Sequence, residues 1–132
     1  MLDGSRLGDA GARTIDPFAY WGKALLQCRA RTRFLEPDES FTIEGIEVGY
    51  HGHYGLNGAR GNRRSFARIG IKVVIGHTHS PGICEGAYQT GTMSRLRLEY
   101  VRGPSSWLHT DCVIYDNGKR TLVNIINGRT HA

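Results

Sequence analysis

Ile46-Glu47-Val48-Gly49-Tyr50-His51-Gly52-His53 and Ile71-Lys72-Val73-Val74-Ile75-Gly76-His77-Thr78-His79 decide the reading of this chain, because each is a β-branched run that ends in a histidine pair. Ile46–Tyr50 alternates as a half-buried strand does. Ile71–Ile75 is almost continuously apolar, the pattern of a strand buried on both faces. Between them, residues 54–62 (YGLNGARGN) are too rich in glycine for regular structure. Arg63 to Ile69 reads as a short helix with Phe66 and Ile69 turned inward, and Gly70 is its stop. The order is therefore strand, loop, helix, strand. Both histidine pairs fall just past a strand's carboxyl end, where α/β sheets hold their ligands.

Working outward, Phe41-Thr42-Ile43 and Ile46–Tyr50 form two strands around a tight turn at Gly45, preceded by the polar turn Glu36–Ser40. Further upstream, Phe18, Trp21, Leu25 and Cys28 recur at helical spacing. They predict a helix over about 17–31, capped by Asp16-Pro17, with residues 1–16 as a loose arm. Arg29, Arg31 and Arg33 suit the end of that helix and the loop beyond it. Downstream the reading is β: Gly86–Thr90, Leu96–Tyr100, and a hairpin of Trp107–Tyr115 and Arg120–Ile126 turned at Asn117-Gly118. His131 is terminal and is read as disordered. The expected fold class is α/β, a mixed sheet with flanking helices, and residues 17–132 form one domain that is only part of a larger one.

The chain has 132 residues, which rules out a two-domain enzyme, and 39% hydrophobic with 22% charged residues, which argues against disorder. No run approaches a membrane span, and the N-terminus lacks the basic start and apolar stretch of a secretory signal. Three scattered cysteines, Cys28, Cys84 and Cys112, suggest reduced thiols in a cytoplasm-like compartment. Lysine and arginine exceed acidic residues by 17 to 12, and arginine dominates, a balance that favours a polyanionic partner such as nucleic acid.

Two imidazoles at i and i+2 can face one site if the backbone turns, as Gly52 and Gly76 would allow. Neutral imidazole is the commonest protein metal ligand. Two such pairs on two strand ends point to a metal site rather than to ordinary loop histidines. The Gly-Arg loop that follows the first pair offers His53, Asn57, Arg60 and Arg64 as candidate contacts to a phosphate-containing substrate, since arginine's planar fork binds phosphate oxygens in pairs. Arg95, Arg97 and Arg102 add to the basic balance. His109, inside the hairpin, reads as structural. There is neither a G-x-S-x-G motif nor a Walker-type phosphate loop, and Cys84 with His79 lacks an orienting third residue.

His51-Gly52-His53 after one strand and Gly76-His77-Thr78-His79 after the next resemble the C-terminal half of a calcineurin-like metallophosphoesterase. Residues Ser80-Pro81, Arg97–Tyr100 and Gly103-Pro104-Ser105-Ser106-Trp107 are similar to phage-type members, and the likeness spans about residues 34–129. The resemblance implies half of a four-layer α/β/β/α sandwich and hydrolysis of phosphomonoester or phosphodiester bonds. It implies two divalent ions (Mn, Fe, Zn or Ni) per complete site, and the host cytoplasm for a phage-encoded chain. Carried over by position, His51 and His77 would bind one metal and His79 the other, so all three count as catalytic. His53 matches no invariant ligand. The family's D-x-H, G-D-x-x-D and G-N-H-[DE] motifs do not occur here, and Gly61-Asn62 is followed by Arg63. The chain is therefore expected to be a C-terminal fragment whose N-terminal half is supplied separately, with strands such as Ile71–Ile75 lacking neighbours. The alternative is a catalytically inactive basic α/β module that binds nucleic acid or a partner chain.

Overall fold

The computed structural model describes residues 32–132 together with Trp21 and Leu25. The loose arm at 1–16, the Asp16-Pro17 cap and Cys28 lie outside the described residues, as does most of the 17–31 helix. Trp21 and Leu25 are helical and exposed, at 53% and 77%. The chain divides into two compact units, 1–34 and 35–132. Among the described residues no helix is long and apolar enough to cross a membrane.

The 35–132 unit is mixed α/β. It opens with a hairpin of β1 (Thr42–Ile43) and β2 (Ile46–Glu47), joined through Glu44-Gly45. Both turn residues have positive φ, 50° and 72°, as a two-residue hairpin of this hand requires. A 3-10 turn at Leu56–Gly58 and helix α1 (Arg63–Ala67) lead to β3 (Val73–Ile75). Strand β4 (Gly82–Cys84) and strand β5 (Ala87–Gln89) complete a five-stranded sheet in the order β1-β2-β3-β5-β4. Strand β3 runs parallel to both β2 and β5. A second, antiparallel sheet holds β6 (His109–Ile114), β7 (Arg120–Ile126) and β8 (Arg129–His131).

The predicted β-α-β order is present, and its helix start has a local cause. Asn62 caps α1 by accepting from the backbone N–H groups of Arg64 and Ser65 at 2.9 and 3.1 Å, while Ser65 Oγ accepts from Asn62 N at 2.9 Å. This reciprocal box satisfies amides that a short helix otherwise leaves open. The helix then ends earlier than Ile69. Ile69 and Gly70 donate three residues back, to Phe66 and Ala67, which tightens the chain and carries Ile69 outward to 37% exposure. Ala67 takes its place beside Phe66, Val73, Ile75 and Ala87 in the core.

Four further expectations are corrected. Strand β3 does not lack neighbours, because it is the centre of the sheet, with exposed Ile71 falling outside it. Leu96–Tyr100 is bend and turn, not strand. After β5, Gly91 and Thr92 donate to the carbonyls of Thr110 and Leu108, so that edge is already occupied and the alternating LRLEY run has no strand to pair with. The Asn117-Gly118 loop has three residues: Tyr115 N donates to the Lys119 carbonyl at 2.9 Å, and Gly118 (φ 73°) is the bulge residue. The two-residue Asn-Gly turn is Asn127-Gly128, with φ of 51° and 74°, and it sends His131 into β8 beside Asn124 instead of leaving it disordered.

Glu47 sets how β2 leads into the histidine loop. It is only 5% exposed, yet its carboxylate accepts from Ser40 Oγ, from Phe41 N at 3.0 Å and from Gly49 N at 2.7 Å. Burial alone would raise its pKa. The hydrogen bonds from Ser40, Phe41, Gly49 and Val48 outweigh that and hold it below 4.5. A depressed carboxyl stabilises the fold above its unfolded pKa and stops doing so as pH falls through the folded value. Glu47→Gln is expected to cost about 1–3 kcal/mol at pH 7, since an amide cannot accept all three donors. The gap between wild type and variant in urea unfolding should shrink as pH falls through and below the ordinary carboxylate range. A gap that ignores pH would overturn this account of the turn.

Candidate functional site

The two strand-end loops are tied together through one carbonyl. Gly76 N and His77 N both donate to His51 O, each at 3.1 Å. This sets the loops after β2 and β3 side by side, as the parallel pairing of those strands requires. The side chains follow: His77 Nδ1 lies 3.3 Å from His51 Nε2, and the two rings meet edge-on with centroids 5.2 Å apart. His53 joins them, its ring 5.6 Å from that of His51 and 6.0 Å from that of His77. Its Nε2 also stands 3.7 Å from Asp38 Oδ2, a partner the sequence reading did not single out.

Glycine makes this approach possible at Gly52, which is buried and has φ of 96°. Gly61 packs so closely on the Gly52 carbonyl that a Cβ there would collide with it, and Gly61 N donates to His53 O at 2.8 Å. Gly76 is different: its φ is not positive, so its role is the close approach of its backbone to His51.

His79 makes its ring contact with Trp107 and not with the other three imidazoles. Its backbone has φ of 59°, a left-handed conformation uncommon outside glycine. Its ring packs edge-on against Trp107 with centroids 4.5 Å apart. The Nδ1 atoms of His53 and His79 are both buried with no hydrogen-bond partner. An unpaired buried nitrogen costs about 1–3 kcal/mol, a cost that a bound ligand would remove.

Burial holds the His77 pKa below its ordinary value of 6.5, with nearby His51, Arg60, His53 and His79 adding to the effect. At neutral pH His77 is therefore neutral, and its Nδ1 shares a hydrogen bond with His51 Nε2 in which either nitrogen can be the donor. Arg60 is exposed in the loop that follows the first histidine pair. The loop itself is closed, not loose: Tyr54 bridges Arg60, and Gly55 N donates to Ala59 O at 2.6 Å. Asn57 sits exposed at its tip with φ of 54°, and Arg64 is exposed on α1. No described contact links either of them to the imidazoles.

Two supporting residues went unread in the sequence. Gln89 is fully buried, accepts from Arg63 N at 3.2 Å and donates to Ser80 O at 3.1 Å. Arg63 Nη1 donates to the same Ser80 carbonyl at 3.3 Å. Together they fasten the loop that carries His77 and His79. A glutamine at an inward position of β5 was the available signal. Among the remaining candidates, His109 donates from Nε2 to the Ser94 carbonyl at 2.8 Å, a structural bond. Burial raises the Cys112 thiol pKa, only partly offset by Arg120, so that thiol stays protonated. Cys84 packs against the core.

The side chains gathered at this site are the imidazoles of His51, His53 and His77, with the Asp38 carboxylate beside His53. His51 and His77 are the pair whose ring nitrogens come within 3.3 Å. Among the described residues, no three His, Cys, Asp or Glu side chains are grouped so as to hold a metal.

The fold and site thus define a mixed α/β unit with a histidine cluster at the carboxyl ends of two parallel strands. The chain is similar to Protein A1 of Escherichia phage T5, with 41% identity over 119 residues, which is 90% of this chain and 21% of that protein. It therefore spans about a fifth of the length of this curated relative. No protein-family model matches the chain, and no solved structure matches it.

Proposed function

We propose that this chain is part of a metal-dependent phosphoesterase that hydrolyses phosphodiester bonds, with nucleic acid or nucleotides as substrate. The observation that carries the reading is the 3.3 Å approach of His51 Nε2 to His77 Nδ1. Two ligands bonded tetrahedrally at roughly 2.0–2.1 Å stand about 3.3 Å apart, so the pair is already spaced for one divalent ion. Mn, Fe, Zn or Ni would supply Lewis-acid stabilisation of phosphate charge there. His51 and His77 would hold the ion, and Arg60 would add positive charge for phosphate oxygens. The Nδ1 atoms of His53 and His79 are buried and unpartnered, so either would need a local opening to reach substrate or a second ion. The remaining donors would come from the rest of a longer protein or from a partner chain. On this reading the two sheets of 35–132 are half of a four-layer α/β/β/α sandwich. The second reading, an inactive basic module, is favoured by the lack of a third grouped donor among the described residues.

Turnover of a chromogenic bis-phosphodiester with added Mn²⁺, measured beside equilibrium Mn²⁺ binding, tests the proposal. His77→Ala is expected to weaken both by about 100-fold or more, beyond the 10–100-fold typical of outer-shell partners. Turnover and metal binding that ignore His77→Ala would refute the site. Absence of Mn²⁺ binding even with the rest of the longer protein present would support the inactive module.

A further inference from the structure

Beside the histidines, residues 93–107 form an exposed segment with a distinct chemistry. It holds Arg95, Arg97 and Arg102, all exposed, against one acidic residue, Glu99. Tyr100 is 74% exposed and Met93 70% exposed, high values for large apolar side chains. Trp107 links this segment to the site: one edge contact goes to His79 at 4.5 Å, the other to Tyr100 at 6.4 Å. Hydrogen bonds hold the junction, with Ser80 Oγ and Ser106 Oγ 2.6 Å apart and Leu108 N donating to His79 O at 3.4 Å. Between these residues lies a cleft of about 280 Å³, lined by Leu96, Arg97, Val101, Pro104 and Trp107. That is at the lower edge of ligand-sized pockets, roughly 300 Å³ and upward, and suits one planar ring better than a large ligand.

Aromatic rings that stack unpaired bases, set among arginines that follow the phosphates, are how single strands are held without base pairing. Duplex DNA keeps its bases stacked inside and cannot offer a ring to such a cleft. We infer that the cleft lined by Trp107 and Arg97, with exposed Tyr100 in ring contact with Trp107 and Arg95 and Arg102 in the same exposed segment, binds an unpaired base of single-stranded nucleic acid and leads the strand to the histidine cluster. The inference deepens the phosphoesterase reading by naming its substrate as single-stranded. The binding step itself needs neither metal nor turnover.

The chain has two tryptophans, so Trp21→Phe leaves Trp107 as the sole indole reporter. In EDTA, a deoxythymidylate strand of about twelve nucleotides should quench its fluorescence saturably, and more weakly as salt rises. A labelled strand followed by anisotropy should bind at least about 5-fold more weakly to Trp107→Ala, the lower end of the stacking range. Tyr100→Ala, at a surface position that carries little packing, should also weaken it, while Trp107→Phe keeps a ring and should retain most of the affinity. Because binding is measured in EDTA, the result is separate from failure of the metal site. Absence of quenching, equal quenching by a duplex of the same length, quenching by free thymidine monophosphate alone, or full affinity in both Trp107→Ala and Tyr100→Ala would each overturn the inference.

Discussion

Gly52→Ala should unfold much of the population and abolish the His51–His77 approach in what remains folded. A Cβ at residue 52 would stand 2.8 Å from Ile75 Cβ, 3.2 Å from its Cγ2 and 3.3 Å from its Cδ1. Ile75 is 2% exposed and belongs to the core, so it has no room to withdraw. Forcing extra volume into such a place costs about 1–3 kcal/mol. The backbone adds to this, because φ of 96° is a region that side chains with a Cβ rarely adopt, at a cost of order 1–3 kcal/mol. The sum, about 2–6 kcal/mol, is a large share of the roughly 5–15 kcal/mol that holds a domain folded. Because Ile75 leads directly into Gly76 and His77, any relief of the clash moves the His77 imidazole away from that of His51. Gly58→Ala is the control: its φ is 76°, but nothing lies within 4 Å of a Cβ there. It should cost only about 1 kcal/mol, from backbone strain alone. Equal midpoints for the two variants in urea unfolding would show that the contact with Ile75 does not constrain this turn.

Arg120→Ala should loosen the second sheet from the first. From β7, Arg120 Nη1 donates to the Val73 carbonyl at 3.0 Å and to the Gly86 carbonyl at 2.8 Å. Its guanidinium carbon also lies 4.0 Å from the centre of the Tyr88 ring. One side chain thus grips strand β3 and the turn that leads into β5, and covers an aromatic face. Hydrogen bonds from a charged donor contribute about 1.5–3 kcal/mol each, and the cation–π contact about 0.5–2 kcal/mol. Arg120 is only half-buried, so solvent takes part of this, and a loss of about 2–4 kcal/mol is expected. Lysine should not rescue it, because an ammonium lacks the planar fork that stacks on Tyr88 while reaching both carbonyls. Hydrogen exchange should show β6 and β7 opening more readily in the alanine variant than in the wild type. A loss below about 0.5 kcal/mol, the scale of an ordinary surface substitution, would contradict this role.

Local patterns carried much of the fold in plain view. Short-range chemistry determines the β1–β2 hairpin, the α1 start and the Gly70 stop, because each depends on a few neighbouring residues and their allowed dihedrals. Val73–Ile75 could be read as a buried strand for the same reason: an apolar run must be covered from both sides. Leu96–Tyr100 shows where such reading fails. Its alternation is that of a strand, but a strand needs a free edge, and Thr110 and Leu108 had already taken it. The Asn-Gly pairs teach the same lesson, since a single dipeptide served a three-residue loop at 116–118 and a two-residue turn at 127–128 according to how the flanking strands paired.

The candidate site divides in the same way. By itself, the sequence determined that two histidine pairs follow two strands, because strand propensity and residue identity are local properties. Only the tertiary structure decided which imidazoles meet. Parallel pairing of β2 with β3 and the shared His51 carbonyl bring His77 to His51, while the left-handed turn at His79 sends that ring to Trp107. Those contacts join residues far apart in the chain, and no spacing rule encodes them: they depend on which strand edges pair and on how closely glycine lets two backbones approach.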